Sequence, residues 1–161
     1  MNCLVKALLP VLVVLVIPMS ASASHYDIPS SGIVDEAVAG RLAAQGINST
    51  KDLWAKTLTR NDRARLAKKV KVAASEVLRW HDFCDLLRLS GVGPKVARVM
   101  TVAGVNNLKA LARQNPDDLA ARVAAVRDKV PELGKLPDRN NFQSWIEQAA
   151  SLVKEDASPK K

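Results

Sequence analysis

The chain repeats itself, and this limits its fold more than any other feature of its 161 residues. A shift of 58 positions lays Val38-Ala39 on Val96-Ala97, Leu42 on Met100, Gly46-Ile47-Asn48 on Gly104-Val105-Asn106, and Leu53 on Leu111. Further along, a shift of 65 lays Trp80 on Trp145, Cys84 on Ala149 and Leu87 on Leu152. The second copy therefore holds seven extra residues, expected around Val130 to Asn140 with its two prolines. Matched apolar positions at a near-fixed offset describe two copies of one supersecondary unit.

Each copy reads as helices. Aromatics make up 4% of the chain, while Ala, Leu, Val, Lys and Arg abound, which favours helix over sheet. No segment shows sustained period-two alternation. Ala37–Ala44 and Val96–Ala103 have helical periodicity, and Gly46 and Gly104 stand where a C-terminal cap needs positive φ. Asn48-Ser49-Thr50 and Asn106-Asn107 are expected to cap short helices over 51–56 and 108–113. Thr59 to Asp62 and Asn115 to Asp118 lead into apolar-periodic segments, with Pro116 and its acidic neighbours suited to a helix start. A last helix, 75–87 or 141–153, carries the tryptophan. The expected fold is all-α, with two tandem units, 32–88 and 89–153, packed around one core. Residues 24–31 read as a polar leader and 154–161 as a charged tail.

The N-terminus reads differently. A basic start through Lys6 and the eleven apolar residues Ala7–Ile17 precede Pro18 and Ser20-Ala21-Ser22-Ala23, the pattern of a signal peptide cleaved after Ala23. The apolar run falls short of the roughly 20 residues a membrane span needs. An uncleaved anchor is the rival reading. Either way the remainder is expected in the periplasm or outside the cell, with no stable span in the mature chain. It keeps one thiol, Cys84, which cannot form an internal disulfide. At helical spacing among apolar residues, Cys84 reads as a small buried hydrophobe, not a nucleophile.

The most informative stretch is Leu89-Ser90-Gly91-Val92-Gly93-Pro94-Lys95-Val96-Ala97-Arg98. Gly91 and Gly93 let the backbone turn tightly and approach a ligand, and Pro94 suits a first helical turn. Free amides at that helix start, at its positive dipole end, can hold a phosphate oxygen. Lys95 and Arg98 add charge on the same end, and Ala97 keeps the helices close.

This segment resembles the helix-hairpin-helix motif of DNA repair enzymes, ligases and the secreted DNA receptors of bacterial competence systems. Residues from about 30 to 153, including Trp80 through Leu87, Gly104-Val105, Arg113-Gln114-Asn115-Pro116 and Trp145 through Ala149, resemble an uncharacterised bacterial family, domain of unknown function 4332. The resemblance implies a tandem helix-hairpin-helix fold with DNA binding as the inferred activity. The first copy departs from the pattern, with Ile33-Val34-Asp35-Glu36-Ala37 in place of Gly91-Val92-Gly93-Pro94-Lys95. Two carboxylates there repel DNA while still stabilising a helix start, so that copy is expected to be structural.

Charge supports the same division. One of the net +8 belongs to Lys6. Residues 55–81 hold eight cations against two carboxylates, and residues 82–113 add a further +3, while the other segments after residue 23 sum to −2. Arg63, Lys68, Lys69 and Lys71 are therefore expected to extend a phosphate-tracking surface beside Gly91, Val92, Gly93, Lys95 and Arg98, if the fold brings them to one face. The tryptophans read as core, which argues against a single-strand reader with exposed stacking rings. No catalytic motif is present, and His81 with Cys84 falls short of the three or four ligands zinc requires. The sequence thus predicts an exported protein with no enzymatic activity, cofactor, metal or small-molecule substrate. It is expected to bind duplex DNA without sequence specificity. The alternative is a structural or protein–protein interaction module of the cell envelope.

Overall fold

The computed structural model describes residues 25–158. The expected signal peptide, its cleavage after Ala23 and the rival anchor lie outside these residues. Among the described residues there are nine α-helices and two short 3-10 turns, with no strand beyond one isolated antiparallel bridge between Asp27 and Ser49. None of these helices is long and apolar enough to cross a membrane.

After α1 (Ile28–Ser31), one order of four helices occurs twice. The first set is α2 (Glu36–Ala43), α3 (Thr50–Ala55), α4 (Arg60–Val70) and α5 (Ala74–Leu86); the second is α6 (Pro94–Val102), α7 (Leu108–Leu111), α8 (Pro116–Ala125) and α9 (Arg139–Ala157). Local chemistry sets most boundaries. Asp35, Ser49, Thr59, Asn107, Asn115 and Asp138 each accept a first-turn amide with the side chain, at the starts of α2, α3, α4, α7, α8 and α9. Each such cap stabilises by about 1 kcal/mol.

α2 and α6 end identically. Gly46 and Gly104 take φ of +67° and +88°. The amide of Ile47 then reaches the Leu42 carbonyl (3.1 Å), and that of Val105 reaches the Met100 carbonyl (2.9 Å). These are the same cap at repeat positions, one that satisfies carbonyls the helix leaves open. The extra residues of the second copy fall between α8 and α9, where two 3-10 turns, Arg127–Lys129 and Pro131–Leu133, stand in place of a three-residue connection.

The buried residues form two clusters, not the one core expected. The first joins Ile28, Leu42, Ile47, Leu53, Leu66, Val70, Val77, Trp80 and Cys84. The second joins Leu86, Leu89, Val92, Met100, Val105, Leu111, Leu119, Phe142, Trp145 and Ala149. They divide within α5, which commits Cys84 to one and Leu86 to the other.

Polar contacts join the copies as well. Asp85 accepts from Trp54 Nε1 (3.3 Å), Arg88 (2.9 Å) and the Leu108 amide at the start of α7 (3.2 Å). The Arg88 guanidinium lies 4.3 Å from the Trp54 ring centre and also pairs with Asp156 (2.7 Å).

Both expected ends need correction. The segment read as a leader is built in: Ile28 is buried, its amide donates to the Asn48 carbonyl (2.9 Å), and the Thr50 amide donates to that of Tyr26 (2.8 Å). The expected tail begins as helix, since α9 runs to Ala157 and Asp156 pairs with Arg88 at the end of the first copy.

Candidate nucleic-acid interface

The turn between α5 and α6 hangs on apolar anchors. Leu86, Leu87, Leu89 and Val92 are fully buried in the second cluster. Between the last two, the Val92 amide donates to the Leu89 carbonyl (3.2 Å), closing a four-residue turn whose third member, Gly91, has φ +81°. A type II turn requires that conformation at its third position, and any residue with a Cβ pays for it with about 1–2 kcal/mol.

α9 holds the turn from outside. Trp145 Nε1 donates to the Ser90 carbonyl (3.0 Å), and Gln148 Oε1 accepts the Ser90 amide (3.0 Å). The sequence marks Trp145 only as a repeat position and gives no sign of Gln148, because both act on residues far along the chain.

Gly93 is the N-cap of α6, with φ −93° and ψ 174°, a conformation open to any residue. Its constraint is space, since a Cβ there would lie 3.3 Å from Tyr26 Oη. Pro94 follows in the first turn, and no side chain caps the helix. Among the described residues, the amides of Lys95 and Val96 have no partner. The first copy differs at the same place. Asp35 stands at the position of Gly93, and its carboxylate accepts the amide of Val38, the counterpart of Val96, at 2.7 Å. One helix start supplies its own anion; the other stays open, with Lys95 exposed beside it. Unbonded N–H groups at the positive end of a helix suit an oxyanion.

A groove runs past this helix start, lined by Tyr26, Gly93, Lys95, Arg98, Glu132 and Lys135, among others. Gly91, Val92, Gly93 and Lys95 thus come together as expected from the sequence. Arg98 lies one turn along α6, and its guanidinium is engaged: it pairs with Glu132 (2.7 Å) and donates to the Gly32 carbonyl (3.2 Å).

The basic segment lies on α4 and its C-cap. Arg63 donates to the carbonyls of Thr57 (2.7 Å) and Leu58 (3.0 Å), in the turn between α3 and α4. Lys68, Lys69 and Lys71 are exposed but lead into the start of α5, whereas the hairpin leaves its end. The 13 residues of α5 span about 20 Å.

Away from the hairpin stand Cys84 and His81. Cys84 is buried, which pushes its thiol up to about 12. His81 Nδ1 lies 2.8 Å from Thr57 Oγ1 and its ring stacks on Trp54; burial lowers its pKa, countered in part by Asp85. Among the described residues no group of three or more His, Cys, Asp or Glu is placed to hold a metal ion.

No characterised protein and no solved structure matches the chain. A family does: residues 32–152, from the residue before the first copy's hairpin position into α9, match the one described as Domain of unknown function (DUF4332), and the chain belongs to that family.

Proposed function

We propose that this protein binds the phosphate backbone of duplex DNA, without sequence specificity, through the α5–α6 turn acting as a helix-hairpin-helix. The carrying observation is the contrast between the copies. Asp35 fills the anion position of α2 with its own carboxylate, while Gly93 leaves the matching amide of α6 open next to Lys95. In this reading the first unit is a degenerate helix-hairpin-helix that serves as scaffold, and the second is the working one. Lys68, Lys69 and Lys71 form a separate patch that meets phosphates further along the duplex. The role is binding, not catalysis, and its setting is the periplasm or the exterior, reached through the N-terminal signal.

The competing reading is an envelope module that binds only other proteins. Among the described residues the exposed large hydrophobics, Leu58, Leu78 and Val102, are few, and single apolar residues on a surface are ordinary. They offer less than the open helix start does.

Titration of the protein with duplex DNA over a series of salt concentrations decides between the two. A hairpin and one lysine patch neutralise a few phosphates, so the logarithm of affinity should fall with that of salt at a slope of about −2 to −4, at about −0.9 per phosphate. Gly93→Asp supplies the self-cap of the first copy and should abolish the binding. Gly93→Ala meets Tyr26 in the same way but brings no charge, and should retain most of it. Absence of binding at low salt, or indifference to Gly93→Asp, removes the proposal.

A further inference from the structure

We propose that Glu132 is an internal competitor for the anion site of α6, holding Arg98 in an ion pair that an incoming phosphate displaces. This rests on the reading of the hairpin as a phosphate-binding turn and adds a means of restraint to it.

The placement of Glu132 carries the argument. It belongs to the 3-10 turn Pro131–Leu133, part of the insertion that the second copy has and the first lacks. That turn packs on α6, and Glu132 Oε1 accepts from Arg98 Nη1 at 2.7 Å. Arg98 follows Lys95 by three residues, so the two share one helical face, about one turn from the open amides. At the matching position of the first copy stands Gly40, with no charge. The copy that carries the open helix start thus carries both an added cation and the acid that occupies it.

The pair is made to exchange. Its side chains are 38% and 37% exposed, and ion pairs so open to water are weakly held. A guanidinium meets phosphate through the same two-pronged geometry by which it meets carboxylate. The bond from Arg98 Nη2 to the Gly32 carbonyl gives the side chain a second anchor near the groove when Glu132 is displaced. Glu132 itself is ionised at neutral pH, since its own backbone amide, then Arg98, hold its carboxyl below the usual range, with Lys95 adding to the effect. Its charge therefore both occupies Arg98 and opposes a phosphate approaching Lys95.

The test is duplex DNA titration, across the same salt series, of the wild type, Glu132→Gln, Arg98→Ala, the double variant, and Asp128→Asn, each checked for folding by circular dichroism. Asp128 is an exposed carboxylate of the same insertion with no ion pair to Arg98. Glu132→Gln should bind severalfold more tightly at low salt, with a slope steeper by about 0.9, the contribution of one further phosphate. The gain should vanish in the Arg98→Ala background and be smaller in Asp128→Asn. Unchanged or weaker binding by Glu132→Gln, an equal gain without Arg98, or an equal gain from Asp128→Asn overturns the competitor while leaving the hairpin in place. If neither the wild type nor Glu132→Gln binds duplex DNA at the lowest salt, the hairpin reading fails and this inference falls with it.

Discussion

Asp85 sits where one buried cluster ends and the other begins, and replacing it by Ala should cost far more than an average polar substitution. Its side chain is 16% exposed and accepts three hydrogen bonds, from Trp54, Arg88 and the first amide of α7. Losing the α7 bond is worth about 1 kcal/mol, the usual value of a helix cap. The bond to Arg88 is charged and mostly buried, worth about 1.5–3 kcal/mol, reduced because Arg88 keeps Asp156. With the weaker Trp54 bond, the loss comes to about 3 kcal/mol, a large share of the roughly 5–15 kcal/mol that holds a domain together. Urea unfolding followed by circular dichroism and by tryptophan emission measures it. Because the clusters meet at this residue, the variant should also unfold less cooperatively, with a smaller denaturant slope. Asp156→Ala is the control; its carboxylate is 45% exposed, and such a pair contributes at most about 1 kcal/mol. A loss below about 1 kcal/mol for Asp85→Ala, or one no larger than that of Asp156→Ala, refutes the account of how the copies are joined.

Two further outcomes follow from the site and its surroundings. Gly91→Ala must hold a Cβ at φ +81°, so it should lose about 1–2 kcal/mol in thermal or urea unfolding, whereas Gly40→Ala, in the middle of α2 with open space around it, should gain up to about 1 kcal/mol. His81 takes up a proton less readily in the folded protein than its usual value of 6.5, chiefly because it is buried. Below pH 6.5 the unfolded chain therefore binds a proton that the native state refuses. Stability from this group is complete above that pH and declines as pH falls toward the folded pKa. His81→Gln should flatten this part of the profile, and an unchanged slope between pH 5 and 7 would remove His81 as its source.

What was legible in the sequence was local or periodic. Gly46 and Gly104 end α2 and α6 with the positive φ expected of them, and Asn107 and Asn115 cap the helices they precede. Leu42 with Met100, Ile47 with Val105, Leu53 with Leu111, and Trp80 with Trp145 are buried as pairs at repeat positions. The turn at Gly91 is legible for the same reason: only a few residue types fit it.

What was not legible depends on residues distant in sequence. Ile28 is a single apolar residue among polar ones, and its burial follows from the bonds that 26–28 make with 48–50. Asp156 looks like part of a charged tail until Arg88 is brought to it. Arg98 looks free until the insertion folds Glu132 onto α6.

If the first-turn amides of α6 meet a phosphate, the repeat provides its own control. Amide chemical shifts of the ¹⁵N-labelled protein, followed during addition of a short duplex at low salt, test it most directly. Lys95 and Val96 should shift with the saturation curve of binding, together with Gly91 and Gly93, while Val38, whose amide already bonds to Asp35, stays in place. Shifts absent from α6, or equal at Val38 and Val96, would contradict it.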